Sequence, residues 1–591
     1  MDPNNLVFVL EHLESTASTK HSISNGFIPK RLVDVGTGPD ACPTLVTPEY
    51  SSDTKYATLS YCWGPPDDAA KQLKTTTANL EDHQKGLPQD AMPPIIRDAV
   101  VICRALGIRH IWIDALCIVQ GSDGDWEEQS SQMCEIFGNS YLTICAAASR
   151  SCLEGILETR QPPSLTLGHA SVGGLAVKGL YSLRPTPYES SPIQRYSIEA
   201  AAPLVQDLAF SAWTQRGWVY QEKCLSLRKL YFGKNQIHLQ IGDVIFSENG
   251  CVEDIGRSDQ HFHRDWPKNV TVGYLEQHGH VRNYWHDVVE QVALLQWTVR
   301  LDIFPSISGL AKRFKGFIDS PYLAGLWTDD LHYGLIWTPG EPTPISYEVT
   351  PSSRPDSLSD LLDELRSVSS QVAPSWSWAS RRRGRCAFVI RTRKNAHLRR
   401  EFDLLESRVQ LENPANPFGR LRHASLHLSG RMIVPRIMEG RRRPGGDYHF
   451  FSPGRDGQMA EVFIDWGRRN IRRKEIEAEA QAPLVMFLIS SCCVEPLLAS
   501  DGDATPTDLR ARSQSVYGPA YGQRLLNSED VTGSNCRLCA DQEAPRDIWG
   551  LLIHPTNCPG TYFRVGIFVS KADQGGMLLF EGSTRCTIEL V

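Results

Sequence analysis

The feature that most constrains the fold is an alternation of strand and helix patterns within residues 56–149. Apolar runs rich in β-branched and aromatic residues are typical of buried strands, and apolar residues at helical spacing are typical of amphipathic helices. In chain order the patterns are strand "YATLSYCWG" (56–64), helix "PPIIRDAVVICRALGI" (93–108), strand "RHIWIDALCIVQ" (109–120), helix "DGDWEEQSSQMCEIFGNS" (123–140) and strand "YLTICAAAS" (141–149). Strands that alternate with helices form parallel sheets covered on both faces. The sequence therefore predicts an α/β domain.

The ends of the two helices carry recognisable signals. Pro93 and Pro94 precede the apolar periodicity of the first helix, and Gly107 follows it, which predicts its start and its stop. The second pattern predicts one continuous helix over 123–138, with Asp123 or Asp125 as its cap and a stop at Gly138.

Length and composition predict a protein of several domains. A chain of 591 residues is too long for one hydrophobic core, so two or three domains are expected. The formal charge of −7 disfavours a general binder of nucleic acid, which needs a net basic face. We interpret the basic runs "RTRKNAHLRR" and "EGRRRPGG" as solvated loop faces.

The sequence predicts a cytoplasmic protein without a membrane span. The first 20 residues contain no basic region leading into an apolar run, and no later stretch approaches the 18 or so apolar residues that a span requires. Many of the 16 cysteines lie inside apolar strand or helix patterns, which favours buried, reduced thiols.

The chain after residue 240 changes character. Residues near 280–335 have helical patterns, a Pro- and Ser-rich stretch follows, and short alternating runs from "PSWSWAS" (374–380) onward predict an antiparallel β domain. The predicted organisation is an N-terminal lead (1–50), the α/β domain (51–240), a helical connecting segment (241–337), a linker (338–372) and a β-rich C-terminal domain (373–591).

Polar and aromatic residues gather where the first two predicted strands end. Tyr61, Trp63 and Gly64 end the first strand, and Asp114 and Gln120 lie at or just past the end of the second. In parallel sheets ligands bind beyond the carboxyl ends of the strands. We therefore expect these residues to share one ligand-binding rim.

Three blocks resemble, in order, the fungal heterokaryon incompatibility (HET) domain: "YATLSYCWG", the stretch from "IRHIWIDALC" to "CAAAS", and "RGWVYQEKCLSLRKLYF". The resemblance covers about residues 56–240. It implies a role in non-self recognition and programmed cell death when incompatible cells fuse, with a protein partner in the signalling.

The order of elements also resembles, more remotely, the flavodoxin-like TIR domain, some members of which cleave NAD at the nicotinamide–ribose bond. Trp218 and Glu222 in "RGWVYQE" have the spacing of the Trp-x-x-x-Glu segment that carries the catalytic Glu in that family. Residues i and i+4 of a helix share one face, so both side chains should project together. The resemblance implies NAD as a possible substrate. It does not firmly imply a cofactor.

Each of these residues also has a structural interpretation. Glu222 is a candidate to stabilise the positive charge that develops on ribose, or it pairs with Arg216 or Arg228. Asp114 is a second catalytic candidate, or it caps the turn that follows its strand. Trp63 and Trp218 are candidates for a ligand-stacking wall, or they are core aromatics.

Two functions therefore stay open at the sequence level. The first is an NAD glycohydrolase, which requires a pocket that contains Glu222, Trp63 and Asp114. The second is a non-catalytic signalling module that acts through assembly with a partner or as a homo-oligomer, which a filled rim favours.

Two further sets of residues have weaker signals. Cys536, Cys539, His554 and Cys558 have a spacing adequate for tetrahedral zinc, but "IWGLLIHP" (548–555) is itself typical of an apolar strand. Cys117 has no His placed in sequence to activate it, so a thiol mechanism is not expected.

Overall fold

The computed structural model of the chain divides into two compact units. Unit 1 contains residues 1–281, 294–322 and 411–422, and unit 2 contains residues 282–293, 323–410 and 423–591. The residues that the structure describes are 3–15, 27–49, 54–157, 203–208, 211–254, 281–340, 355–367, 372–381, 385–389, 398–435, 450–453, 459–466, 483–493 and 545–591.

The α-helices of the described residues are, in chain order, α1 (Pro3–Ser15), α2 (Pro66–Ala69), α3 (Leu80–Lys85), α4 (Pro94–Ala105), α5 (Asp114–Cys117), α6 (Asp123–Ser131), α7 (Met133–Gly138), α8 (Pro203–Leu208), α9 (Gly217–Leu225), α10 (Val281–Val292), α11 (Pro305–Lys315), α12 (Leu331–Gly334) and α13 (Leu358–Arg366).

The strands of the described residues are, in chain order, β1 (Leu32–Asp34), β2 (Thr44–Val46), β3 (Tyr56–Ser60), β4 (His110–Trp112), β5 (Leu142–Cys145), β6 (Arg228–Phe232), β7 (Ile237–Ile241), β8 (Val244–Ser247), β9 (Val252–Asp254), β10 (Tyr322–Leu323), β11 (Leu326–Trp327), β12 (Trp337–Gly340), β13 (Arg385–Phe388), β14 (Arg399–Arg400), β15 (Asp403–Leu411), β16 (Leu421–Ile433), β17 (Phe450–Pro453), β18 (Met459–Ile464), β19 (Val485–Cys493), β20 (Arg546–Pro555), β21 (Thr561–Ser570) and β22 (Arg585–Leu590).

Unit 1 is built on a mixed nine-stranded sheet in the order β2-β1-β4-β3-β5-β6-β7-β8-β9. The four central strands, β4, β3, β5 and β6, are parallel neighbours, and the pairs toward both edges are antiparallel. Every residue of β3 and β5 is buried, as expected of strands covered on both faces. The predicted α/β class is confirmed. The three strands predicted within residues 56–149, which are β3, β4 and β5, are parallel as expected.

Helix α4 has the predicted limits. Pro94 is its first residue, where the missing N–H of proline costs no hydrogen bond, and Ile96, Ala99 and Cys103 are fully buried. Gly107, two residues after the helix, has a φ of +68°, a conformation that favours glycine. The amphipathic pattern and the Gly stop therefore predict this helix correctly.

The prediction of one helix over 123–138 is wrong. Gln132, with φ −98° and ψ 4°, separates α6 from α7, and Ser122 precedes α6. Asp125 does not cap the helix, because its carboxylate accepts from the N–H of Val119 (2.8 Å) and binds the guanidinium of Arg31. Asp125 therefore fixes the loop after α5 instead of the helix end.

The segment 241–337, predicted as helical, begins with strands β8 and β9 before α10 and α11 occur. Gly242, at φ +59°, lies in a two-residue turn between β7 and β8, where Ile241 pairs with Val244. Residues along β8 alternate between half-buried and buried, a period that belongs to a strand. The sheet of unit 1 thus extends beyond the predicted domain end at residue 240.

The β-rich C-terminal region of the prediction is confirmed in unit 2. Its large sheet has the order β14-β19-β16-β22-β21-β18-β17, with β15 on β16 and β20 on both β19 and β21. The pairs β14–β19, β16–β19, β16–β22, β17–β18, β18–β21, β19–β20 and β20–β21 are antiparallel, and a short pairing of β21 with β22 is parallel. Leu361 and Leu362 of α13 belong to one core cluster with Val462 and Leu552 of this sheet.

No helix of the described residues is both long enough and apolar enough to cross a bilayer.

Candidate functional site

The carboxylate of Glu222 lies at the end of a buried hydrogen-bond chain. Glu222 is on α9, and the residue is 9% exposed. Its Oε2 accepts a hydrogen bond from the hydroxyl of Ser60 at the end of β3. The Oγ of Ser60 accepts in turn from the indole N–H of Trp213 (2.9 Å). This chain joins the carboxyl end of β3 to α9 and fixes the orientation of the carboxylate.

Burial changes the acidity of Glu222. Removal from water raises the pKa of Glu222 to about 7, opposed by the Ser60 hydrogen bond and the positive charge of Arg216 and assisted by the negative charge of Asp114. A carboxylate with a pKa near neutrality exchanges a proton readily at physiological pH, as acid–base catalysts do.

Arg216 connects the two acids of the site. Its Nη1 donates to the backbone carbonyl of Tyr61 (2.8 Å), directly after β3. Its charge stabilises the ionised forms of both Glu222 and Asp114. Arg216 is thus a shared counter-ion for two carboxylates, although it forms no direct salt bridge of 4.0 Å or less with either acid among the described residues.

Asp114 is the first residue of α5, and its carboxylate accepts two hydrogen bonds. Its Oδ1 accepts from the N–H of Ala115 (2.7 Å), and its Oδ2 accepts from the indole N–H of Trp63 (2.9 Å). Burial raises the pKa of Asp114, while Arg216, the Ala115 N–H, Tyr61 and Trp63 lower it. Asp114 therefore acts as a turn cap and also joins the chain beyond β3 to the chain beyond β4.

Of the other predicted ligand residues, those at the strand ends lie around Asp114. Tyr61 is buried, and Lys74 Nζ lies 5.0 Å from the ring centroid of the partly exposed Trp63. Gln120 donates through Nε2 to the carbonyls of Asp114 (3.2 Å) and Ile118 (3.1 Å). Through these contacts the structure brings Tyr61, Trp63, Asp114 and Gln120 to one group.

Trp218 has different neighbours from Glu222. Its indole N–H donates to Asp302 Oδ2 (3.3 Å), and its ring lies edge-on to Trp126, with centroids 6.3 Å apart. The indole that shares a hydrogen-bond partner with Glu222 is that of the fully buried Trp213. The i, i+4 spacing thus does not bring Trp218 into the chain of contacts around Glu222.

Sequence reasoning missed Ser60 and Trp213. Ser60 is an unremarkable strand residue in "TLSY", and Trp213 lies outside any periodic pattern, in a turn before α9. The only signal was their nearness in sequence to Tyr61 and to the Trp-x-x-x-Glu segment.

Two buried lysines, Lys223 on α9 and Lys229 on β6, lie near the C-terminal end of α9. Lys223 Nζ lies 5.6 Å from the centroid of the Trp213 ring, and Lys229 Nζ donates to the carbonyls of Lys223 (2.9 Å) and Ser226 (2.8 Å). Burial lowers the pKa of each lysine to about 8. Their charges therefore change just above the pH range in which Glu222 ionises.

Gly64 is required where the chain leaves β3. It has a φ of +93°, and a Cβ at this position would lie 2.8 Å from Cβ of Ser151. We predict that Gly64→Ala lowers the free energy of unfolding by about 1–3 kcal/mol, measured by urea denaturation. Gly38→Ala is the control, because its Cβ would meet no atom within 4 Å. Equal effects of the two substitutions would contradict this reading of Gly64.

The other candidates are placed as follows. Burial raises the pKa of Cys117 to about 12, which makes its thiol a poor nucleophile. Of the zinc set, Cys536 and Cys539 lie outside the described residues, while His554 is buried on β20 and Cys558 is exposed. Within the described ranges, no group of three or more His, Cys, Asp or Glu residues is arranged to hold a metal ion.

Unit 1 contains a cavity of about 380 Å³ whose lining differs from the predicted site residues. Its lining includes Phe27, Glu135, Lys312 and Phe418, and none of the predicted site residues. Glu135 and Lys312 form an ion pair at this cavity. It is therefore separate from the site around Glu222.

Comparison with known proteins identifies the region that contains the site. Residues 56–222 match the model of the family described as heterokaryon incompatibility protein (HET). No curated protein and no solved structure matches the chain. The matched segment begins at β3 and ends at Glu222, so it includes both acids of the site.

Proposed function

From the match of residues 56–222 to the heterokaryon incompatibility family, we propose that this protein acts in non-self recognition, and that its Glu222 site cleaves NAD to start programmed cell death. The observation that carries the proposal is the convergence of Glu222, Asp114 and Arg216 at the carboxyl ends of β3 and β4. Such an edge is where α/β sheets bind ligands.

The fold supports this proposal through the order of the parallel strands. Numbered by their place in the chain, the parallel strands β3, β4, β5 and β6 lie in the order 2-1-3-4 across the sheet. This is the order of the first four strands of flavodoxin-like sheets. A flavodoxin-like or TIR-like relationship is therefore part of the proposal.

In the proposed reaction the bond between ribose C1′ and the nicotinamide nitrogen breaks, and its electron pair leaves with nicotinamide. The Glu222 carboxylate stabilises the positive charge that develops on the ribose. Water then attacks C1′ and loses a proton to Glu222, which returns it to solvent. The products are nicotinamide and ADP-ribose.

The pH dependence of this reaction follows from the pKa of Glu222 of about 7. Because the ionised carboxylate is the active form, nicotinamide release should rise about tenfold between pH 6 and pH 8. The measurement is initial rate against pH, with NAD alone at each pH as control. A rate that is flat or falls over this range would mean that the Glu222 carboxylate does not carry the reaction.

A second candidate function is supported by the burial of the site. Glu222 is only 9% exposed, and its carboxylate is already bonded to Ser60. A filled strand rim suits a non-catalytic module that signals in the cytoplasm through a protein partner or through self-assembly. In this alternative the same residues stabilise the fold.

The incompatibility role itself is tested in cells. The chain is expressed in one of two otherwise identical heterokaryon-forming strains, and death of fused cells is scored with a vital dye. We expect death after fusion of the expressing strain with the non-expressing strain and none in fusions within either strain. Survival of all fusions at verified expression would overturn the role in incompatibility, whether or not the purified protein cleaves NAD.

A further inference from the structure

Arg228 is a buried cation without an acidic partner. It is the first residue of β6 and is 2% exposed, and its Nε and Nη1 are buried without a hydrogen-bond partner. Among the described residues, no carboxylate forms an ion pair with it. Of the two arginines expected from sequence as possible partners of Glu222, Arg228 therefore has no acidic partner among the described residues, while the charge of Arg216 acts on Glu222.

The ring of Tyr141 has two cations as neighbours. Its guanidinium carbon lies 5.1 Å from the ring centroid of Tyr141, and Lys55 Nζ lies 4.8 Å from the same centroid. Lys55 directly precedes β3 and Tyr141 directly precedes β5. The three residues thus lie at the amino ends of the neighbouring strands β3, β5 and β6, with Tyr141 in the middle, whereas Ser60 and Glu222 meet at the carboxyl end of β3.

An uncompensated buried guanidinium is costly, since desolvation disfavours its charge. Burial lowers the pKa of Arg228, and the phenolic oxygen of Tyr141 opposes this shift. A bound anion would supply the missing counter-charge.

We propose that Arg228, Lys55 and Tyr141 form a binding site for a phosphate group. Arg binds phosphate through two parallel N–H···O bonds, and Lys binds it as a point charge. The two cations match the two negative charges of a phosphate near neutral pH, while a carboxylate has only one. The proposal is independent of the Glu222 site and of NAD cleavage.

The test measures thermal unfolding with sodium phosphate and with sodium chloride at equal ionic strength. We expect phosphate to raise the midpoint of the wild-type protein above its value in chloride, and acetate not to do so. Titration calorimetry with phosphate should show affinity lost in Arg228→Met and reduced about tenfold in Lys55→Met. Lys71→Met, at an exposed lysine of unit 1, should bind as wild type.

Two arms distinguish the source of the phosphate group. Tighter binding of adenosine monophosphate than of inorganic phosphate would identify a nucleotide phosphate, and the reverse order would identify free phosphate. No phosphate effect on the wild type, or equal binding by wild type and Lys55→Met, would overturn the site. Because Lys55 is exposed, that variant decides the matter even where Arg228→Met does not fold.

Discussion

Glu222→Gln is expected to reduce nicotinamide release about 10²–10³-fold, equivalent to about 3–4 kcal/mol of activation free energy, without unfolding the protein. Gln keeps the shape of the side chain and still accepts from the Ser60 hydroxyl, but it removes the charge that stabilises the ribose cation. The folded protein should lose at most about 1 kcal/mol of stability. The rate assay is run beside thermal melting at the same pH.

The control for this variant is Glu81→Gln, at an exposed residue of α3. It should leave both rate and melting unchanged. An unchanged rate in Glu222→Gln, or a large drop in its melting temperature, would support the structural role of Glu222.

Arg216→Met should destabilise the protein by about 3 kcal/mol at pH 8 and by clearly less at pH 5, measured by urea denaturation. Arg216 supplies the positive charge near both Asp114 and Glu222, whose pKa values burial raises. Without it both acids must be protonated in the folded state, which costs more as the pH rises. Arg97→Met, at an exposed residue of α4, should change stability by at most about 0.5 kcal/mol.

The sign of this pH effect follows from proton linkage. Glu222 has a raised pKa in the folded state, so between its unfolded value of about 4.5 and its folded value of about 7 the folded protein binds more protons. Its contribution to stability is therefore greatest at low pH and is lost as the pH rises through 7. Equal destabilisation by Arg216→Met at both pH values would instead indicate loss of packing and of the bond to the Tyr61 carbonyl.

The central sheet of unit 1 could be predicted from sequence because its strands are buried on both faces. Such strands leave continuous apolar runs, and α4 between them has a clear 3.6-residue period. The outer strands are harder to recognise. For example, β1, β2 and β9 have three residues each and are buried only in part, so they carry too few positions for a period to be visible.

The candidate site could be predicted in part, for a similar reason. Asp114 and Trp63 follow buried strands, and the topology of a parallel sheet brings such ends together. Trp213 could not be found in this way, because it lies in a turn whose path is set by tertiary contacts. Helical spacing indicated Trp218, which instead contacts Trp126 and Asp302.

The measurement that tests the proposed activity most directly is incubation of the purified full-length protein with NAD at pH 8, with the products separated by chromatography. We expect free nicotinamide and ADP-ribose to appear in equal amounts, over many turnovers per protein molecule. NAD that stays intact with a folded protein would contradict the catalytic proposal and leave the assembly of a non-catalytic module as the function of this site.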